Sequence, residues 1–406
     1  MPEDLRILTG DWLYEQVPST VMSSSSNLIV VRAPGRVNLL GEHTDYTGGL
    51  VLPMAIPFYT TVHISANREP QNVFRSAQFE GEYAEPLGSS APRRKMWTDY
   101  PVGVLRQLRQ SGVVPSAFVL ELSGNVPLGA GLSSSASVEV ASCLAMLTLS
   151  GEMLPVNELA LLCQRAENDF VGSPCGIMDQ FVITAALADH ALLISTRDLR
   201  FEHVPMQAGG LHEVSIVICN SRVRHSIAAG MYGERRKEVE AGQAVLRERF
   251  AGLRDLGEAT LAQLQACEQA MTPESFKRCR HIITENARVR QARVAMLAGD
   301  AQALGTLMVE AHASQRDDFE CSCDEIDFLV DTAVALRGCF GARLTGGGFG
   351  GCTVNLVEHE SVDGFCETLK DAYRERFSVS AETYVCQAVN GALADAGVLA
   401  EQEREA

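Results

Sequence analysis

Residues 118–149 read FVLELSGNVPLGAGLSSSASVEVASCLAMLTL, and the order of residue types in this stretch decides the fold. FVLEL is strand-like, Gly129 and Gly131 permit a tight backbone turn, and ASVEVASCLAMLTL continues as the small and apolar residues of a buried helix. The serines Ser133, Ser134 and Ser135 stand where they can cap the start of that helix. A strand, a glycine-rich turn and a helix start leave backbone N–H groups free at the helix N-terminus, which is an anion site in the making. By itself the turn is either a plain helix cap or a phosphate cradle, and both readings stay open at this point.

Known phosphate loops can be checked against it. A lysine-containing P-loop ends in GKS or GKT, which this turn lacks. QRDD at 315–318 echoes a protein-kinase catalytic loop, but Ser322 stands where that loop needs its metal-binding Asn, so the echo carries no function. TGGGFGGC at 345–352 fits G-x-G-x-x-G through Gly346, Gly348 and Gly351, yet the strand-like CTVNLV follows where a dinucleotide site needs a helix. Strand, glycine loop, strand is the expectation there, with backbone packed closely against something.

A second polar island is GEHTDYTGG at 41–49, which packs Glu42, His43, Asp45 and Tyr46 between glycines. It is flanked by NLIVVRAPGRVNLL and LVLPMAIPFYTTVHI, two apolar runs rich in β-branched residues. A polar loop pinned between buried strands is a place for a site rather than an ordinary solvated loop.

Two further carboxylates stand out. Leu159, Cys163 and Glu167 recur every four residues, which puts Glu167 on the apolar face of a helix, as one half of an ion pair with an arginine or as a magnesium ligand. GSPCGIMDQFV sets Asp179 among glycines and large apolar residues, where lost hydration penalises an ionised carboxylate unless a cation such as Arg36 opposes it.

Composition bounds what these groups can serve. The chain has 406 residues, of which 46% are hydrophobic, enough for a large core divided between two lobes. No apolar run is long enough to span a bilayer, and the N-terminus MPEDLRILTGDWLYEQ is acidic where a secretory signal would be basic, so the cytoplasm is the expected location. The twelve cysteines lie scattered in apolar segments such as VASCLAML and IVICN, in the manner of reduced core thiols, and no zinc-like spacing occurs. A formal charge of -17 argues against a nucleic-acid or anionic-membrane partner. Only four lysines exist and none lies in a glycine-rich loop, so a bound phosphate must rely on backbone N–H groups, arginine or a metal. SSSS at 23–26 reads as a flexible lead-in.

Taken together, GRVNLLGEHTDYTGGLVLPMAI, PLGAGLSSSAS, GSPCGIMDQ and GARLTGGGFGGCTV resemble the signature segments of the galactokinase family, within the GHMP kinase superfamily. The resemblance continues through VRHSIAAGMYGERRKEVE and LMVEAHASQRDDFECSCDEIDFLV and covers roughly residues 28 to 390. It implies an α+β fold of two mixed lobes with the active site in the cleft between them. We expect an N-terminal lobe over 1–200 and a C-terminal lobe over 201–406, the boundary lying near 195–210.

It also implies an ATP-dependent sugar kinase that phosphorylates the anomeric hydroxyl of α-D-galactose. By that resemblance Glu42, His43 and Asp45 bind sugar hydroxyls and Tyr232 lies near the sugar; Tyr46 matches the signature, and as an aromatic beside strands it is read as a packing residue. Gly129, Ala130, Gly131, Leu132, Ser133, Ser134 and Ser135 wrap the nucleotide phosphates, and Trp97 lies near the adenine. Ser135 and Glu167 hold Mg2+, while Asp179 and Arg36 sit at the reacting hydroxyl. Asp179 acts either as a general base kept ionised by Arg36, or with Arg36 by electrostatic positioning. The alternatives are an N-acetylgalactosamine kinase or other anomeric sugar kinase of the superfamily, and a galactose- and ATP-binding regulator without turnover. The small-molecule partners are galactose and ATP; oligomeric state is left open, a monomer being compatible.

Overall fold

A computed structural model describes residues 28–224 and 228–395. The serine run at 23–26 lies outside the described residues. The first apolar run forms β1 (Leu28–Asn38) and the second forms β2 (Leu50–Val51) and β3 (Pro53–Ala66), so the polar island is the loop between paired strands. β1 and β3 run antiparallel, with a register shift at Pro34/Gly35. β1 is an edge strand, which tolerates the missing N–H of Pro34. With β4 (Gln71–Ser76), β5 (Glu82–Pro86) and β6 (Phe118–Gly124) they make a five-stranded sheet of order β1-β3-β6-β4-β5, in which only β4 and β6 run parallel among the described pairs.

Helix α1 (Asp99–Gln110) packs on α2 (Ser134–Ser150), and α2 lies across β1 and β3. Its Ala136, Val140, Cys143 and Leu147 are buried, and so are intervening positions such as Ala141 and Ala145. An apolar circumference of this kind suits a helix enclosed on all sides. α3 (Val156–Arg165) runs into a π-type turn at Ala166–Val171, and α4 (Met178–Ala185) follows after the segment that carries Cys175 and Gly176.

β7 (His190–Ser195) and β8 (Arg200–Pro205) form a hairpin that joins β2 in a three-stranded sheet. The expected boundary region at 195–210 therefore falls on this hairpin. Beyond it, β9 (Val214–Arg224), β10 (Cys339–Thr345), β11 (Gly350–Glu358) and β12 (Glu382–Cys386) form an antiparallel sheet of order β10-β11-β9-β12. It is covered by α5 (Ala228–Arg249), α6 (Leu261–Ala266), α7 (Pro273–Ala298), α8 (Ala301–Ser314), α9 (Asp324–Ala335) and α10 (Val362–Phe377), packed on one another and on the strands. The glycine-rich loop 346–349 connects β10 to β11, the strand–loop–strand arrangement expected from its sequence.

The two lobes share an apolar seam. Val37, Leu39 and Met54 of the first lobe belong to one buried cluster with Ile216, Ala292, Met308 and Val354 of the second. After β12 the chain crosses back: Val389 N–H donates to the Ala55 carbonyl at 3.2 Å, Gly391 N–H to Ala186 at 2.8 Å, and Asp395 pairs with Arg32 at 2.8 Å.

Candidate active site

Arg36 projects from β1 and Asp179 from the first turn of α4, and the two meet as a bidentate pair: Nε donates to Oδ1 at 2.8 Å and Nη2 to Oδ2 at 2.7 Å. Nη1 of the same guanidinium donates to the Gly131 carbonyl at 2.6 Å, and the Arg36 N–H donates to Leu132 at 3.2 Å. One arginine thus joins the carboxylate to the glycine–serine turn.

That turn behaves differently from a helix cap. Gly129 (φ 67°) and Gly131 (φ 77°) take the left-handed conformations anticipated for them. Ser133 occupies the N-cap position of α2 but is also left-handed (φ 60°), and no side chain caps the helix. Its hydroxyl donates to Asp179 Oδ2 instead. The expectation that the serines cap α2 is corrected here: a capping residue has an extended backbone, whereas Ser133 is left-handed, and its hydroxyl lies on Asp179 rather than over the first-turn N–H groups. The first-turn N–H groups of α2 are left without an intrahelical acceptor, as an anion cradle requires. Ala130 and Leu132 are buried, so these two positions can face a phosphate only with their backbone. The Ala130 carbonyl accepts from the Cys352 thiol at 2.9 Å, which ties the turn to the second lobe.

Ser134 and Ser135 open onto a cavity of about 470 Å3 that is lined also by Trp97, Phe79, Tyr100 and Val138. Trp97 lies parallel to Phe79, with ring centroids 6.3 Å apart. A flat apolar slot that ends at a helix N-terminus suits a purine with a phosphate tail.

Glu167 is buried in the π-type turn beyond α3. Among the described residues no arginine or lysine pairs with it; its Oε2 accepts from Gln180 Nε2 at 2.8 Å and from the Cys175 thiol at 3.4 Å. The Ser135 hydroxyl also bonds to it. Burial, then the nearby Asp179 charge, push the Glu167 carboxyl above its usual range. Of the two readings left open by the sequence, the arginine ion pair is not the one formed. Glu139 lies deeper on α2 and takes the same Gln180 amide at 3.0 Å, and burial pushes its carboxyl well up. A hydroxyl and a buried carboxylate short of positive charge fit a hard divalent ion whose remaining ligands are phosphate and water. No cluster of three or more His, Cys, Asp or Glu side chains among the described residues could hold a metal without such help.

The polar turn at 41–49 gathers near Asp179. Asp45 is half-buried, and burial followed by repulsion from Asp179 and Glu42 pushes its carboxyl up to about 7, although Met178 N–H and Arg36 oppose the shift. It lies so close to Gly176 that a Cβ there would fall 1.7 Å from Asp45 Oδ2. His43 (φ 62°) is buried, stacks on Phe319 at 4.1 Å, and has its imidazole held neutral by burial, down to about 3. Among the described residues its Nε2 finds no hydrogen bond of full geometry, although the Gly347 backbone lies beside the imidazole, and a ligand hydroxyl could satisfy it. The Tyr46 hydroxyl lies 3.3 Å from His43 Nδ1 and its ring sits under the Arg236 guanidinium, so Tyr46 packs and also orients the imidazole. Tyr232, from α5, stands 5.6 Å from the His43 ring.

Glu42 does more than its sequence context suggested. Its Oε1 accepts from Arg343 at 3.0 Å and from Gly346 N–H at 2.7 Å, across the lobes, while burial pushes the carboxyl up. Arg343, Gln180 and Glu139 all escaped the sequence reading. The available signal was a charged or amide group inside an apolar strand or helix: Arg343 in GARLT, Gln180 in MDQFV and Glu139 in SVEVAS.

Three family models match in order: a galactokinase galactose-binding signature over residues 20–66, the GHMP kinase N-terminal domain over 99–186, and the GHMP kinase C-terminal domain over 292–375. A galactokinase from Roseiflexus is 42% identical over 365 residues, 89% of this chain and 92% of that protein. Human galactokinase is 40% identical over 373 residues, 90% of this chain and 91% of its own. The solved structure of Lactococcus lactis galactokinase complexed with galactose superposes with a TM-score of 0.86 at 32% identity, covering 90% of this chain and 94% of the other. Mevalonate kinase from Methanococcus jannaschii, at 19% identity and a TM-score of 0.65, shares the fold. The arginine-held carboxylate that bonds to the glycine–serine turn is thus set in the two-domain GHMP kinase fold, and the chain belongs to the galactokinase family of enzymes.

Proposed function

We propose that this chain transfers the γ-phosphoryl group of ATP to the anomeric hydroxyl of α-D-galactose, giving galactose 1-phosphate. The observation that carries the reading is the position of Asp179: Arg36 and Ser133 bond it to the glycine–serine turn, and Asp45, in the turn with Glu42 and His43, is near enough for the Asp179 charge to act on its carboxyl. An ionised carboxylate accepts about four hydrogen bonds. Arg36 supplies two and Ser133 a third, which leaves a place for one sugar hydroxyl. Asp179 orients that hydroxyl and receives its proton as the phosphoryl group moves, and Arg36 faces the charge that develops on the transferring group.

His43, Asp45 and Glu42 present a neutral ring and two carboxylates to the sugar, a set that can read several fixed hydroxyl directions at once. Tyr232 closes the side of that pocket. Trp97 holds the adenine face, and the N–H groups from Gly129 to Ser135 hold the phosphates. Ser135 and Glu167 would hold the divalent ion that accompanies ATP; magnesium suits their all-oxygen donors and would neutralise phosphate charge when bound. Among the described residues no helix is long and apolar enough to cross a membrane; we place the protein in the cytoplasm, without nucleic-acid or membrane partners. We take the lobe division at the β8–β9 junction, since β8 pairs with β7.

An ADP-release assay over galactose, N-acetylgalactosamine, glucose and a no-sugar control tests this, with the product identified as the 1-phosphate by phosphorus NMR. Galactose is expected to give the highest kcat/KM. A preference for N-acetylgalactosamine would replace the substrate, and binding of galactose and ATP without ADP release would make the protein a regulator.

A further inference from the structure

Helix α7 belongs to the second lobe, yet three of its side chains reach the backbone of the sugar turn in the first. His281 Nε2 donates to the Glu42 carbonyl at 3.2 Å, Gly41 N–H donates to Glu285 Oε1 at 2.8 Å, and Leu50 N–H donates to Asn286 Oδ1 at 2.7 Å. His281 and Glu285 are one helical turn apart and Asn286 is the next residue, so the three share one side of the helix. All are fully or almost fully buried: His281 and Glu285 at 0% exposure and Asn286 at 2%.

Each of the three is itself fixed. A carbonyl only accepts, so His281 carries its hydrogen on Nε2, and Nδ1 lies 2.9 Å from the Ser314 hydroxyl. Glu285 takes Arg288 Nε on its other oxygen at 2.7 Å. Asn286 donates to the Ile282 carbonyl at 2.8 Å, which sets its oxygen towards Leu50. The turn is shaped to receive them: a Cβ on Gly49 would lie 2.7 Å from Asn286 Oδ1.

These bonds hold the first residues of the turn, Gly41 and Glu42, and its far end, Leu50. Glu42, His43 and Asp45 project from the segment held in this way, and a small backbone rotation there would redirect all three. We propose that His281, Glu285 and Asn286 are positioning residues for sugar recognition: by clamping the turn they set galactose affinity and the choice between galactose and its epimers. The inference rests on the galactose kinase reading above.

The test uses the full chain with Asn286→Ala, which removes the acceptor for Leu50, and Asn286→Asp, which keeps one. KM does not depend on how much enzyme is folded, so it separates positioning from simple loss of stability. Asn286→Ala is expected to raise the galactose KM tenfold or more and to narrow the galactose-to-glucose ratio in kcat/KM severalfold, with the ATP KM within twofold of wild type. Asn286→Asp is expected to restore most of the galactose KM. If the alanine variant does not fold, Asn286→Ser, whose hydroxyl is too short to take the Leu50 N–H, is read by the same criteria. An unchanged galactose KM in a variant that merely melts earlier overturns the inference, and so does an equal rise in the galactose and ATP KM values. Wild-type turnover on galactose is measured first; its absence overturns the functional reading, whereas its presence with an unchanged variant KM overturns only the clamp.

Discussion

Asp179 shows how much one side chain depends on three others. With Arg36 on both oxygens and Ser133 on one of them, its direction is set before any substrate arrives. Asp179→Asn keeps the shape but loses the proton acceptor and the charge complement to Arg36. Turnover is expected to fall roughly 100- to 10,000-fold, with galactose and ATP binding retained in calorimetry; a variant that kept half of wild-type turnover would remove Asp179 from the chemistry. Asp45 gives a pH signature. Its carboxyl is pushed from 3.8 up to about 7 by burial, then by Asp179 and Glu42, so between those values the folded chain keeps a proton that the unfolded chain releases. The stability linked to this proton is therefore present below about pH 4 and is lost as pH climbs through about 7. Asp45→Asn should melt higher than wild type at pH 8, and the difference should vanish near pH 4. Binding runs the other way, because the ionised carboxylate is the better acceptor for a sugar hydroxyl: galactose kcat/KM should rise with pH through about 7. A profile flat from 5.5 to 8.5 in wild type would exclude Asp45 from sugar binding.

At the scale of elements, the π-type turn after α3 sets the surroundings of Glu167. A regular helix would carry Glu167 onward along the Leu159–Cys163 stripe into the core; the widened turn at Ala166–Val171 lets it meet Ser135, Gln180 and Cys175. Its raised carboxyl means that ionisation there costs folding energy in the absence of a cation. Glu167→Gln should consequently raise the metal-free melting temperature at pH 8, with the gain shrinking as pH falls towards the ordinary glutamate range. The same variant should need more magnesium for half-maximal activity. A lowered melting temperature together with an unchanged magnesium titration would reassign Glu167 to a structural part. The glycine turn before α2 makes the complementary point: its loop shape was readable in the sequence, but the bond from Ser133 joins residues 46 apart in the chain, on elements that meet only in the folded lobe.

For the molecule as a whole, the lobes are tied by the apolar seam, the returning C-terminal segment and the buried Glu42–Arg343 pair, in which Arg343 is 0% and Glu42 4% exposed. Removing one partner of such a pair leaves an uncompensated buried charge. Arg343→Met is expected to cost about 3 to 5 kcal/mol in denaturant unfolding, while Glu42→Gln in the same chain recovers part of it. A loss under about 1 kcal/mol would mean that the pair is as weak as a surface one. Because the seam uses side chains from both lobes, the expected unfolding is one transition, with coincident midpoints by fluorescence and circular dichroism.

What the sequence determined alone was local and chemical. Apolar runs rich in β-branched residues mark β1 and β3, glycines mark the turns, and the types of side chain at 36, 42–46, 133–135, 167 and 179 mark a candidate site, because these depend on near neighbours and on residue identity. Tertiary structure decided the pairings: Ser133 to Asp179 instead of a cap, Glu167 to Gln180 instead of an arginine, Glu42 to Arg343 as well as the site. It also assigned β8 to the sheet of β7 and set α7 beneath the sugar turn. The reason is that a buried polar group must find a partner wherever the packed core leaves one. The nearest partner in space, 304 residues away for Gly346 N–H and Glu42, leaves no mark in the local pattern of the chain.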